Sequence, residues 1–360
     1  MLHTNEQFFF SLHQASATET TPTVQFYKLL SIITGCLWLF VCCVRANLTA
    51  STMNISDEDR DCISASQLNQ ENIIFATFYI LVFLFAVPGN ALALWAFCCQ
   101  KCTSPSKVFL RHLSIADISY ILLLPMRTLY HLFNSHWPLG HILCQLSGFL
   151  FYVNMYCSIY LMSFISLDRF LAVVLPIKSQ LVRKATYAKI IVGIIWVMVI
   201  VSMSPILFSR KNMANNATGD CTTLYLEKTS PKALVSTIVA FVIPFSTILV
   251  SYVLILLKLQ AVKQKEARPV KDKAIKMIIL VLMNFCFAFI PYHVSRVVYI
   301  MNHSHSCSTR IDCESLGRAN RITSALTCVS AVLDPVMYFF LNRTYRNKLL
   351  QLFRESRGED

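Results

Sequence analysis

Three arginines near the ends of apolar segments are the residues of this sequence best placed to do chemistry. Arg127, Arg296 and Arg321 stand in the stretches LPMRTLYHLF, PYHVSR and ANRITSALT. An ionisable residue at membrane depth is costly and by default indicates a functional site. Like charges gathered in one cavity repel one another unless an anion binds between them. The three arginines together predict a pocket for an anionic ligand that also has an apolar or aromatic part.

The segment FCFAFIPYHVSR at 285–296 adds further side chains to this pocket. Phe289, His293 and Arg296 are spaced by four and three residues, so they share one helix face. Pro291 removes a backbone hydrogen bond and lets the helix bend. The alternative is an arginine that snorkels to the lipid headgroups, which is common near a helix end. The predicted ligand-binding set is Arg127, Tyr130, Tyr152, Tyr156, Tyr292, His293, Arg296 and Arg321.

Two carboxylates fall inside apolar segments and need either protons or a cation. Asp117 lies in LSIADISY and Asp334 in LDPVMY. Neighbouring amides and hydroxyls could complete a small cation site, but a neutral hydrogen-bond network that only packs helices accounts for the same residues equally well. The polar neighbours are Asn90, Asn154, Ser158 and Ser330, and the predicted sodium site is Asp117, Asn154, Ser158 and Asp334.

Long apolar helices must position these residues. The chain has 360 residues, 55% hydrophobic and 14% charged, whereas soluble domains carry about 25% charged residues. Seven runs after residue 70 are long enough to cross about 30 Å of hydrocarbon as helices. They are 72–99, 108–132, 142–174, 188–209, 233–257, 275–301 and 317–341. The sequence therefore predicts an all-α fold, a seven-transmembrane helix bundle. The net charge of +13 does not indicate a nucleic acid partner, because the basic residues separate apolar runs.

Basic residues concentrate in alternate loops, which predicts the orientation of the bundle. One set includes the stretch KQKEARPVKDKAIK, whereas the first loop of the other set, HLFNSHWPLG, has no Lys or Arg. The positive-inside rule then places the amino terminus outside and the carboxyl tail in the cytoplasm of a multi-pass plasma-membrane protein. Sequons predict glycosylation on the outer side at Asn47, Asn54, Asn216 and Asn302.

The amino-terminal part, 1–71, is predicted to be an extracellular segment. Its apolar run at 29–44 is short for a span, follows Lys28 and precedes a small-residue cleavage pattern, so 29–46 resembles a signal peptide. An unused upstream extension with a start at Met53 explains the run equally well, and an eighth span ranks third. The transmembrane domain is assigned to 72–341, and 342–360 to a cytoplasmic helix and short tail.

Cysteines on the predicted outer side favour disulfides, because that compartment is oxidising. Cys144 begins the third helix and Cys221 lies in the second outer loop, so a bridge between them would hold this loop over the mouth of the bundle. Cys62 could pair with Cys307 or with Cys313, and the sequence does not choose between them. No Cys/His cluster has zinc spacing, so we expect no metal site of that kind.

Seven motifs occur in order, one per helix, and together they resemble the rhodopsin-like class of G-protein-coupled receptors over about 65–355. They are PGNALALW, LSIADI, the segment from Cys144 to SLDRF, Trp196, the FVIPF pattern ending at Tyr252, FCFAFIPYH and LDPVMYFF. HVSR and DPVMYFF resemble the nucleotide (purinergic) and lipid-mediator branch.

The resemblance implies a receptor and not an enzyme. Its expected ligand is a small extracellular anion, first a uracil nucleotide or nucleotide sugar, and its partner is a heterotrimeric G protein, the inhibitory class first. A cysteinyl leukotriene, a lysophospholipid or constitutive activity are the alternatives. A transporter is the rival from another class of protein. Many transporters consist of two repeats, but the two halves of this sequence show no repeat and seven spans cannot be divided into two equal halves.

The resemblance also assigns activation roles. Arg169 would meet the G protein and Asp168 would restrain it at rest, whereas Lys271 stands where many relatives have an acid, so the inter-helix lock is expected to be absent. Phe289 replaces a tryptophan and Asp334 an asparagine. The implied coupling set is Asp168, Arg169, Phe285, Phe289, Pro291, Tyr252, Asp334, Pro335 and Tyr338. A short amphipathic eighth helix would follow, and a tail with the single serine Ser356 implies weak phosphorylation-driven arrestin binding.

Overall fold

The computed structural model describes residues 57–98, 104–208, 221–226, 231–261, 268–304, 310–341 and 343–356, and the regular structure within them is helical. Seven segments of this part are long and apolar enough to cross a membrane. We call them spans 1 to 7: Leu68–Phe97, Pro105–Leu132, Gly140–Val174, Ala185–Ile206, Ala233–Leu259, Ile278–Asn302 and Glu314–Leu341. The predicted all-α, seven-transmembrane bundle is confirmed, with bounds that differ by several residues from the apolar runs.

The helices extend beyond the spans and are interrupted at defined places. Their bounds are Asp57–Cys98 in span 1, Pro105–Ile121 and Leu124–Leu132 in span 2, Gly140–Val174 in span 3, Ala185–Met203 in span 4, Pro231–Ala261 in span 5, Arg268–Asn284 and Ile290–Ser304 in span 6, and Arg310–Leu326 and Ser330–Leu341 in span 7. A carboxy-terminal helix, Arg343–Ser356, follows span 7 and is the predicted eighth helix.

Proline accounts for several interruptions, because it lacks an N–H and disfavours a helical residue before it. Span 2 breaks just before Pro125, and span 4 ends in a 3₁₀ turn around Pro205. In span 6 a π-helical turn, Phe285–Phe289, directly precedes the turn that contains Pro291. A π turn inserts one extra residue, so the two halves of span 6 are rotated relative to a continuous α-helix.

Span 3 lies at the centre of the bundle, with buried residues along its length from Cys144 to Asp168. Spans 1, 4 and 5 expose large apolar side chains, such as Phe85, Ile194 and Val235. Outward-facing apolar residues of this kind suit a hydrocarbon surrounding. The bundle therefore places its polar residues on the inner spans.

The carboxy-terminal helix is held against span 1. Tyr345 is buried, and its hydroxyl donates to the carbonyl of Gly89 at 3.4 Å. The Lys348 ammonium lies 3.2 Å from the centre of the Trp95 ring, a favourable cation–π geometry. Gly89 also allows span 7 to approach closely, because a Cβ there would lie 2.7 Å from Cγ of Pro335.

The bundle has two ends, which we name by their residues. The disulfide end carries Cys144–Cys221, which confirms that predicted bridge. The opposite end, called the Asp168 end, carries the last turns of span 3. Asn302 is exposed in the last turns of span 6. Outside the described residues or side chains lie the predicted sites at Asn47, Asn54, Asn216, Cys62, Cys307 and Cys313.

Candidate functional site

A short loop segment fills the space between spans 1, 2, 3 and 7 at the disulfide end. This segment, Cys221–Leu226, is called the loop plug. Its residues Leu224 and Tyr225 are buried. The plug approaches span 3 at Gly148, where a Cβ would lie 2.6 Å from the Thr223 carbonyl oxygen. Gly148 is therefore required for this packing, since any other residue would push the plug away.

Arg127 lies beneath the loop plug and is fully buried. Its Nη2 donates to the carbonyl of Leu224 at 2.9 Å, and its Nη1 lies 3.5 Å from the Tyr79 hydroxyl. The guanidinium carbon is 4.2 Å from the centre of the Phe151 ring and 5.2 Å from that of Tyr225. In this structure Arg127 contacts the plug and the aromatic rings of the bundle.

A chain of hydrogen bonds continues from Arg127 to Asn72. The His131 Nδ1 lies 2.8 Å from Asn72 Oδ1, which can only accept, so Nδ1 donates and Nε2 accepts from the Tyr225 hydroxyl at 2.7 Å. The hydroxyls of Tyr225 and Tyr79 are 3.2 Å apart. Burial raises the pKa of the Tyr225 phenol well above its usual range, so it keeps its proton.

Span 7 also holds the plug, since Asn320 Nδ2 donates to the carbonyl of Tyr225 at 2.9 Å. His131, Asn320 and Tyr225 were not predicted from the sequence as site residues. A histidine inside an apolar helix end and an asparagine in a polar stretch were the signals that could have drawn attention to them.

A second region at the same end contains a cavity of about 410 Å³, which we call the Arg296 cavity. It lies between spans 3, 4, 5 and 6. Its polar lining includes Tyr152, Tyr156, Tyr160, Tyr292 and Arg296. The side formed by spans 4 and 5 is mostly apolar, with Met198, Val199, Ile206, Val239 and Ala240, and also carries the hydroxyl residues Ser202, Ser236 and Thr237. Met198 and Val239 are also exposed on the outer surface of the bundle, 41% and 48%. The cavity therefore opens sideways between spans 4 and 5.

Arg296 is the cation of this cavity, and it is only 3% exposed. Within the described part of the chain its Nη1 is buried and has no hydrogen-bond partner. Its guanidinium carbon lies 5.4 Å from the centre of the Tyr299 ring. A buried, unmatched donor on a charged group is costly, so Arg296 is poised to bind an anion.

His293 packs behind the cavity rather than lining it. Its ring stacks on Phe241 at 4.1 Å between centroids and meets Tyr156 and Tyr292 edge-on at 6.0 and 5.2 Å. Its Nδ1 lies 2.8 Å from the carbonyl of Phe289, to which it donates. Phe289 in turn packs edge-on against Phe285, 5.2 Å away. Aromatic contacts thus connect the cavity to the π turn of span 6.

The predicted ligand set is therefore divided between two regions. Tyr152, Tyr156, Tyr292 and Arg296 line one cavity, with His293 behind them. Arg127 and Tyr130 belong to the cluster around the loop plug. Arg321 is partly exposed on span 7 and is not among the side chains that line the Arg296 cavity.

The two buried carboxylates meet in the middle of the bundle. Asp117 accepts hydrogen bonds from Asn154 Nδ2 at 3.3 Å and from the Tyr338 hydroxyl at 3.0 Å. Asp334 Oδ1 accepts from Asn284 Nδ2 at 3.0 Å. Among the described residues, the second oxygen of Asp334 and the Ser158 hydroxyl have no partner.

The Asp168 end carries a second polar cluster, on spans 2 and 3 and the connection to span 4. Asp168 is buried and accepts from Ser106 Oγ at 2.6 Å and from Arg183 Nε at 2.9 Å. The Arg169 guanidinium bonds Ser106 and lies 3.5 Å from Asp168. One helical turn away, Ser166 Oγ donates to the Tyr252 hydroxyl at 2.7 Å. The Lys271 side chain lies outside the described part.

Comparisons with known proteins agree with this architecture. The model of the seven-transmembrane receptors of the rhodopsin family matches residues 89–338. The human uracil nucleotide/cysteinyl leukotriene receptor is 47% identical over 286 residues, covering 78% of this chain and 77% of that receptor. A human purinoceptor is 35% identical over 70% of each chain. Human cysteinyl leukotriene receptor 2 is 32% identical over 80% of this chain and 83% of that receptor.

Proposed function

The chain belongs to the rhodopsin family of seven-transmembrane receptors, among those of the purinergic and cysteinyl leukotriene type, and we propose that it is activated by an amphipathic anion bound at Arg296. Membership of this family implies that the partners are a small-molecule ligand and a G protein. The observation that carries the proposal is the buried Arg296 guanidinium with an unmatched donor in a cavity of mostly apolar and aromatic walls.

The walls of the cavity favour a ligand with one or two negative charges and an apolar chain. Four tyrosines line the cavity beside the cation, and a mostly apolar groove leads from it to the outer surface between spans 4 and 5. Apolar surface and a few placed polar groups are the usual composition of a pocket for a small amphipathic molecule. An acidic headgroup would pair with Arg296, and its chain would follow the groove.

A uracil nucleotide or nucleotide sugar, the ligand that the resemblance placed first, is the second candidate here. The similarity to the human uracil nucleotide/cysteinyl leukotriene receptor supports both ligand classes. The phosphates of a nucleoside diphosphate need several cations, however. Arg127 already donates to the loop plug and is therefore not available to them. For this reason we rank a lipid-like acid, such as a cysteinyl leukotriene, first.

We place the disulfide end outside the cell and the Asp168 end in the cytoplasm, as the distribution of basic residues predicts. Ligand binding at Arg296 acts on Tyr292 and His293, which lie one turn before it in span 6. His293 contacts Phe289, and Phe289 contacts Phe285 in the π turn. A ligand that binds more tightly to one arrangement of this turn shifts the population of span 6 conformations. The G protein then meets Arg169 at the other end.

We also propose a sodium ion at Asp117 and Asp334. The residues fit, because two fully buried carboxylates face amide and hydroxyl groups, and one carboxylate oxygen and the Ser158 hydroxyl have no protein partner among the described residues. Bound sodium would supply the positive charge that the pair lacks. Thermal unfolding of the purified chain should occur at a higher temperature in sodium chloride than in N-methylglucamine chloride. The Asp117→Asn variant should lose this difference.

The first experiment is G-protein activation in transfected cells. Cysteinyl leukotrienes, lysophosphatidic acid, uracil nucleotides and nucleotide sugars are tested on the wild type, on Arg296→Ala and on Arg318→Ala. Arg318 is a matched control, since it lies at the same end but is 40% exposed and pairs with Glu71. We expect one lipid-like acid to activate the wild type. Loss of a buried charge pair should raise its half-maximal concentration by about 100-fold or more in Arg296→Ala, and leave it unchanged in Arg318→Ala.

Two outcomes contradict this assignment. A nucleotide response that depends on Arg296 would move the proposal to the second candidate. High basal activity, with no response to any of these compounds and no effect of Arg296→Ala, would instead favour a constitutive receptor. In that case the loop plug, which fills the space between spans 1, 2, 3 and 7, would be the structural cause of the basal activity.

A further inference from the structure

One carboxylate at the Asp168 end is shared by two guanidinium groups. Asp168 is 4% exposed, and its neighbours Arg169 and Arg183 are 25% and 27% exposed. Arg169 is the next residue of span 3, whereas Arg183 comes from the connection between spans 3 and 4. The resemblance to known receptors assigns the restraint of Arg169 to Asp168, and it gives Arg183 no role.

Arg183 holds the better position on this carboxylate. Its Nε donates to Asp168 Oδ1 at 2.9 Å and its Nη2 lies 3.4 Å from Oδ2, a two-pronged contact. Ser106 Oγ donates to Oδ2 at 2.6 Å. Arg169 approaches the same Oδ2 only to 3.5 Å, and its Nε has no partner in the described part of the chain. The geometry ranks Arg183 as the main partner of Asp168.

The connection between spans 3 and 4 presents Arg183 to this position through its own backbone hydrogen bonds. The amide of Ser179 donates to the carbonyl of Leu175 at 3.0 Å, and the amide of Arg183 donates to the carbonyl of Ser179 at 2.8 Å. Ser179 is buried, which anchors the turn against the bundle. Arg183 therefore reaches Asp168 from a fixed turn, so less side-chain and backbone freedom is lost in making the contact.

We propose that Arg183 competes with Arg169 for the Asp168 carboxylate and thereby determines how readily Arg169 is released. Arg183 is a positioning residue, since it acts through Asp168. A carboxylate has a limited number of acceptor positions, and two-pronged arginine pairs use them most effectively. When Arg183 and Ser106 occupy them, Asp168 holds Arg169 only weakly, and the hydrogen bond of Arg169 is to Ser106 Oγ. When Arg183 is removed, Arg169 moves into the vacated positions and is held more tightly.

The first test measures this competition without signalling. The full chain is purified in detergent, and thermal unfolding is followed by tryptophan fluorescence for Arg169→Gln in three backgrounds: wild type, Arg183→Gln and Lys184→Gln. Lys184 follows Arg183 directly in the same loop, so its replacement removes the same charge from the same place. We expect Arg169→Gln to lower the unfolding temperature at least about twofold more in the Arg183→Gln background than in the other two. Equal decreases in all three backgrounds would overturn the proposal.

The second test measures the consequence and rests on the proposed receptor function. Basal nucleotide exchange on purified G proteins of each class is measured with the full chain in lipid nanodiscs. Arg183→Gln should lower the basal rate by about fivefold, which corresponds to roughly 1 kcal/mol for a partly exposed charge pair. Lys184→Gln should not change it. In an Asp168→Asn background the effect of Arg183→Gln should vanish, because the competition needs the carboxylate.

The two tests separate the proposals. If the wild type drives no exchange but the thermal measurements show the expected coupling, the competition is supported and the proposed signalling function fails. If exchange occurs and Arg183→Gln lowers it equally in the wild-type and the Asp168→Asn backgrounds, Arg183 contacts the G protein directly and the competition is wrong.

Discussion

Two arginines at the disulfide end, Arg127 and Arg296, are both almost inaccessible to solvent and differ in what surrounds them. Arg127 donates to the Leu224 carbonyl and lies over the Phe151 ring. Arg296 lines a cavity and has a buried terminal nitrogen with no partner among the described residues. The same residue type at the same end of the bundle thus has a structural role in one region and an available binding capacity in the other.

Burial alone therefore does not identify a cation that binds a ligand. A buried guanidinium must have its donors matched, by the protein or by a ligand. Both terminal nitrogens of Arg127 face protein oxygens, and only its Nε lacks a partner among the described residues. An anion therefore has little to gain there without moving the plug. At Arg296 a terminal nitrogen is unmatched, and the cavity has room for the missing partner.

The largest effect should come from replacing Arg127 with a residue of similar length and no charge. Arg127→Met leaves the Leu224 carbonyl buried without its donor and removes the cation from Phe151 and Tyr225. Unmatched buried groups of this kind cost about 2–4 kcal/mol. We expect a large drop in surface expression and in the temperature of thermal unfolding in detergent.

The matched control for this prediction is Arg318→Met, which removes a partly exposed arginine and its surface ion pair with Glu71. That change should cost less than about 1 kcal/mol. Normal stability of Arg127→Met, combined with a lost ligand response, would reverse the comparison and make Arg127 a ligand contact.

A smaller effect is expected from adding one methyl group between span 3 and the loop plug. In Gly148→Ala the new Cβ would lie 2.6 Å from the backbone oxygen of Thr223, which must move. Overpacking of this kind costs about 1–3 kcal/mol. We expect a lower unfolding temperature, measured as above.

Gly193→Ala in span 4 is the control for this methyl group, because a Cβ there meets no atom within 4 Å. It should leave the unfolding temperature unchanged or raise it slightly, since alanine is the better helix former. If Gly148→Ala is as stable as Gly193→Ala, the plug is not packed against span 3 as the structure shows.

The sequence was sufficient for the features that repeat or that depend on length. Apolar runs of membrane length predicted the seven spans, and the oxidising outer compartment predicted Cys144–Cys221, which the structure confirms. The sequence also indicated Asn154 as a polar neighbour of Asp117, and the two side chains are hydrogen-bonded in the structure. These predictions succeed because hydrophobic length and depth in the membrane fix them before any packing is known.

Other features depend on packing and could not be predicted. The sequence placed Arg127 and Arg296 at the same depth, but their directions depend on the rotation of each helix, which the π turn Phe285–Phe289 alters in span 6. The position of Tyr225 depends on how the plug docks after Cys221, and a loop has no periodic pattern to report it. In the sequence, Arg183 is one of several basic residues in the loop between spans 3 and 4, and nothing in its spacing relates it to Asp168.

The smallest effect, and the one that completes the comparison, is expected for Arg296→Met. The substitution is the same as at Arg127, but here it removes a buried charge whose hydrogen bonds are not all matched. The lost contact with Tyr299 is offset by the relieved desolvation, because an apolar side chain of similar volume often replaces a buried ion at little cost. We expect the free energy of unfolding to change by less than about 1 kcal/mol, seen as a nearly unchanged unfolding temperature in detergent without ligand. If Arg296→Met lowers the free energy of unfolding as much as Arg127→Met does, the contacts of Arg296 are made within the protein itself. The cavity would then not be the ligand-binding site.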